Sequence, residues 1–131
     1  MGRGQGQGVK MNVVTKVVNE LKKVKEVQGI YLFGSQARKK AKPLSDIDIA
    51  VITKNLPNGK KPEITLAGPQ IFDISLFWDL PIAIRYRVLK EGQVLLERDK
   101  LFLHRVRVDT LKDYLDFKPI IDRHVWRTLH V

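Results

Sequence analysis

Three aspartates hold most of the chemistry open to this sequence. Asp46 and Asp48 begin the segment "DIDIAVIT" (46–53), and Asp73 lies within "QIFDISLFW" (70–78). An ionised carboxylate among isoleucines is costly to bury unless it is paired or bound to a cation. Alternate side chains of a strand share a face, so Asp46, Asp48 and Ala50 point one way and Ile47, Ile49 and Val51 the other. The two aspartate Cβ atoms are then about 7 Å apart. If strand 70–78 runs beside strand 46–53, Asp73 joins them, and three carboxylates repel one another unless a divalent cation lies between. Oxygen donors in that number suit Mg²⁺ or Mn²⁺ rather than zinc. Taken singly, Asp46 fits a turn cap after Ser45 equally well, and partial exposure at a sheet edge is the alternative for the other two.

Upstream, Gly34 and Ser35 follow the apolar run "GIYLF" (29–33), and Arg38, Lys39, Lys40 and Lys42 separate them from the aspartates. Glycine where a strand turns toward a helix lets backbone amides approach an oxyanion, and the Ser35 hydroxyl adds a donor. A Gly-Ser pair alone is usually just a turn. Phosphate cradle, basic stretch and clustered carboxylates together fit metal-assisted phosphoryl chemistry.

The elements needed to position these groups fit one domain. The chain has 131 residues, no cysteine and a net charge of +10, with 44% hydrophobic and 29% charged residues. This suits a single core, excludes disulfides and thiolate chemistry, and favours anionic partners. Residues 1–9 read as a flexible Gly-rich tail and 10–131 as the domain. Val14, Val17, Val18, Leu21 and Val24 predict a helix with Asn12 as its N-cap. "GIYLF" reads as a strand buried on both faces, "SQARKKA" as one short helix and 54–62 as a loop. Asp79 is the expected cap of a helix from Pro81 to about Glu91, stopped by Gly92. Residues 93–98 read as a short edge strand, and 99–130 as one or two helices interrupted near Pro119. The sum is an α/β (α+β) fold, a small mixed sheet covered by helices. No apolar run approaches the ~18–20 residues of a membrane span, and the N-terminus lacks a signal-peptide core, so the expected compartment is the cytoplasm.

The pattern Gly34-Ser35, ten residues, Asp46-Ile47-Asp48, then Asp73 resembles the nucleotidyltransferase superfamily that includes DNA polymerase β, most closely its minimal nucleotidyltransferases. Stretches 84–99 and 111–122 also look like that family's C-terminal part. The resemblance implies a polymerase β-like fold and transfer of a nucleoside monophosphate to a hydroxyl, with release of pyrophosphate. It implies that Gly34 and Ser35 hold the triphosphate of ATP, and that Asp46 and Asp48 ligate Mg²⁺. Asp73 would complete the metal site as ligand or general base, with Arg38 near a phosphate. Lys39 stands where the family often has glycine, so the turn after Arg38 differs here. Proteins of this size resemble antitoxins paired with a helical HEPN protein, which they silence by attaching AMP to a tyrosine.

The rival reading is a non-catalytic antitoxin or RNA-binding module with the same fold. Tyr31, Phe72, Phe77, Trp78 and Trp126 read mostly as core or interface, and His104, His124 and His130 lack ligand-like spacing. The C-terminal helices carry more apolar residues than a small sheet needs, which suggests a homo- or hetero-oligomeric interface.

Overall fold

A computed structural model describes residues 5–34 and 47–129. Its elements, in chain order, are α1 (Gln5–Lys22), β1 (Val27–Phe33), β2 (Ile47–Thr53), α2 (Lys61–Thr65), β3 (Phe72–Leu76), α3 (Ile82–Glu91), β4 (Gln93–Glu97) and α4 (Lys100–Leu129). The four strands form one mixed sheet in the order β3-β2-β1-β4. Strand β1 runs antiparallel to β2 and β4, whereas β2 and β3 are parallel.

The two faces of β2 explain its near-continuous apolar run, because both are covered. Ile47, Ile49 and Val51 face one way, into a core with Ile64 of α2 and Val14, Val17, Val18 and Leu21 of α1. Ala50 and Ile52 face the other way, into a second core with Tyr31, Phe77, Val88 of α3, and Leu103 and Val106 of α4. Each fully buried aliphatic side chain contributes about 1.5–3 kcal/mol. The alternation expected across the Asp-bearing strand is therefore present from Ile47 onward.

Polar side chains tie the layers together. Arg98, just past β4, donates to the carbonyl oxygens of Val24 and Val27 at 3.2 Å and to that of Lys22, tying the end of α1 and its turn into β1 to the end of β4. Arg107 of α4 donates to the Tyr31 hydroxyl at 2.6 Å and pairs with Glu97. Burial pushes the Tyr31 hydroxyl above its ordinary range, although Arg107 pulls the other way. Glu26 is buried and accepts both of its 3.2 Å hydrogen bonds from Lys60, anchoring the segment before α2. Tyr86 and Tyr114 stack at 3.9 Å between α3 and α4.

Several local expectations are corrected. Helix α1 begins at Gln5, so residues 5–9 are its first turns rather than tail, and Asn12 lies inside the helix instead of capping it. A helix anchored by packed valines extends through Gly6 and Gly8 at about 1 kcal/mol each. Residues 54–62 are not simply a loop: Asn58–Lys60 form a 3-10 turn and Lys61 starts α2. Pro62 is tolerated there because a helix's first N–H groups have no partner to lose. The third strand is shorter than 70–78, since Phe77–Asp79 turn into a 3-10 helix. Asp79 makes no cap hydrogen bond to α3; it pairs with Lys61 at 2.6 Å. Trp78 is 40% exposed, with its indole N–H donating to the Thr53 carbonyl at 2.8 Å. Helix α4 is continuous, with Pro119 inside it. No described helix is long and apolar enough to cross a membrane.

Candidate functional site

Sheet pairing brings the candidate residues together at one end of the second face. Asp48 and Asp73 are direct partners across the parallel β2–β3 ladder, and Ala50 and Ser75 are partners one step deeper. Parallel partners stand ~4.8 Å apart and point to the same side, so the two carboxylates emerge together. Phe33, at the end of β1, is the partner of Asp48 on its other flank. Burial falls along β2 from Ala50 and Ile52, which are fully covered, to half-buried Asp48, and Asp73 is exposed. The acidic pair thus lies where α3 and α4 stop covering the sheet.

Gly34 closes the site from the β1 side. Its φ of +76° falls in the left-handed region, where a Cβ is penalised. A Cβ built there would lie 3.2 Å from Asp48 Cγ and collide with Oδ2. Glycine is therefore required twice, by backbone conformation and by the space the Asp48 carboxylate occupies. That close approach sets the end of β1 against the Asp48 carboxylate.

Gly34, Asp48 and Asp73 converge, whereas Ser35, Arg38, Lys39 and Asp46 lie outside the described residues. Among the described residues no group of three or more His, Cys, Asp or Glu is placed to hold a metal ion. What is present fits a hard divalent cation: two carboxylates on adjacent strands, partly open to solvent, in a chain without cysteine. Ser75, half-buried on the same face, is a polar neighbour that the sequence reading passed over. Alternation from Asp73 would have found it.

The sequence matches the model of the family described as polymerase beta, nucleotidyltransferase, over residues 15–101. Among solved structures, the fold is similar to a chain from the crystal structure of a toxin-antitoxin with AMP-PNP. That match has 26% identity and a TM-score of 0.64, and covers 85% of this chain and 97% of the other. It is also similar to a chain from a tri-AMPylated Shewanella oneidensis HEPN toxin in complex with MNT antitoxin, at 22% identity and TM-score 0.58, covering 91% and 98%. A third likeness, at 22% identity and TM-score 0.57, is to a chain of the toxin-antitoxin MntA-HepT, covering 90% and 98%. No curated protein matches this chain in sequence.

Proposed function

Since this chain belongs to the polymerase β nucleotidyltransferase family, we propose that it transfers AMP from ATP to a hydroxyl on a HEPN-type protein partner, as an antitoxin working in the cytoplasm. The observation that carries the reading is the Asp48–Asp73 pairing, with Gly34 packed against Asp48. A chain from a complex with AMP-PNP has the same fold at 26% identity, which supports ATP as the donor.

In the proposed reaction the acceptor oxygen attacks the α-phosphorus of ATP. A new P–O bond forms, the α–β bridging bond breaks, and pyrophosphate leaves with the electron pair. In this reading Asp73, the more exposed carboxylate, receives the acceptor proton or orients that hydroxyl. Asp48, against Gly34, would serve the triphosphate, with Ser35 and Arg38 as further phosphate contacts and Asp46 as the third carboxylate. Mg²⁺ bound by these carboxylates would neutralise charge on the reacting phosphates.

The test is transfer from ATP labelled at the α-phosphate, with Mg²⁺ and the product of the adjacent reading frame. Label should appear on the partner and fall at least ~10²-fold with Asp48→Asn. Stoichiometric complex formation without label would favour the non-catalytic module. Equal labelling by parent and variant would refute the site.

A further inference from the structure

The sheet and α3 use only one face of α4. Leu103, Val106 and Thr110 are buried and Tyr114 is half-buried, all on that face. On the opposite side Leu101, Val108, Leu111 and Leu115 are 63%, 50%, 47% and 55% exposed. Leu101, Val108 and Leu115 are spaced by sevens, and Leu111 falls between two of them. At about 100° of turn per residue they form one stripe ~80° wide and ~21 Å long from Leu101 to Leu115, with exposed His104 inside it. A stripe of that width and period is the seam of a helix-helix contact rather than a surface for a sheet or loop.

The end of α4 is uncovered as well, on other sides of the helix. From Leu115 onward every described side chain is exposed, including Phe117 and Ile120. A helical stretch that leaves its domain and contains Pro119 is marginal in water without something packed on it.

Charge identifies the occupant. Arg105, Lys112 and Arg123 border the stripe on one side, and Lys100 and Lys118 on the other. Asp109 and Asp116 lie a further step away from it. A second copy would set basic borders against basic borders, on a chain already at +10. We infer that the exposed seam of α4 docks an amphipathic helix with acidic flanks, contributed by a heterologous partner. The inference rests on the proposed function only for the kind of partner, a helical protein, and adds which surface holds it.

The test uses the full chain and two synthetic four-heptad peptides, both with leucine at the seam positions, one flanked by glutamate and the other by lysine. The glutamate peptide should bind, more weakly as salt rises, and protect amides of residues 101–115 from exchange. The lysine peptide, and the glutamate peptide with the V108E/L115E double variant, should each bind ~10-fold more weakly or worse. Circular dichroism of the double variant, altered only at exposed positions, checks that it is folded. Absent binding, or equal binding of both peptides, overturns the inference. So does self-association of the parent chain that V108E/L115E abolishes, because the occupant would then be a second copy. Asp48→Asn should leave peptide binding intact. A chain that docks the peptide but transfers no label therefore refutes the proposed function alone, and the reverse result refutes this inference alone.

Discussion

Asp48 and Asp73 face each other across the parallel ladder between β2 and β3, on the side of the sheet that α3 and α4 leave open at one end. Like charges at ~4.8 Å strand spacing repel one another, so the pairing itself is no source of stability. Asp73→Asn should therefore leave thermal stability within ~0.5 kcal/mol of the parent, since the side chain is exposed. Nucleotidyl transfer by the same variant should fall ~10²-fold or more. Melting curves and label transfer, measured on one preparation, separate the two effects. Activity loss matched by unfolding would count against a chemical role.

Gly34→Ala addresses the second contact. The left-handed backbone costs a non-glycine residue about 1–2 kcal/mol, and the added methyl also meets the Asp48 carboxylate. Denaturant titration should show at least that loss. Transfer should drop further than the unfolded fraction explains, because relieving the clash moves Asp48. An unchanged rate would separate Gly34 from the site.

The Glu26–Lys60 pair sets an acid limit on stability. Burial works to raise the Glu26 pKa, but hydrogen bonds and charge from Lys60, with smaller help from Lys25, hold it below the ordinary 4.5. A carboxyl whose pKa is lowered by folding contributes stability above its unfolded value, and this is lost as pH falls through the folded one. Stability should decline below about pH 4.5, and Glu26→Gln should flatten that part of the curve. A parallel decline in parent and variant would show that other groups are responsible.

Pro119→Ala should raise the helical signal in circular dichroism, because proline inside a helix costs about 3 kcal/mol relative to alanine. The melting temperature should hardly move, since every described side chain from Leu115 to Ile120 is exposed. A large rise in melting temperature would mean that the end of α4 packs on the domain in solution.

The apolar framework was legible in the sequence because local rules govern it. Alternation placed Asp48 and Ala50 opposite Ile49 and Val51, and 3-and-4 spacing found the buried side of α1. The Gly34 turn and edge strand β4 were visible for the same reason. What escaped depends on contacts between distant residues. Asp79 looks like a helix cap until Lys61 is brought beside it by the fold. Gly6 and Gly8 read as a tail because propensity is blind to a helix packed further along. The register that pairs Asp48 with Asp73 is a property of two strands, and neither strand encodes it alone.

The parallel junction between β2 and β3 also bears on when the protein acquires its chemistry. The antiparallel β1–β2 pair closes over the residues between Phe33 and Ile47, whereas β3 pairs in parallel only after the somewhat longer stretch between Thr53 and Phe72 that holds α2, at a slightly larger loop-closure entropy. A molecule paused with β3 undocked would keep much of its sheet and own just one of the two facing carboxylates. On the proposed function, transfer would then begin only once β3 has docked, leaving a newly made or partly melted chain inert instead of indiscriminately reactive.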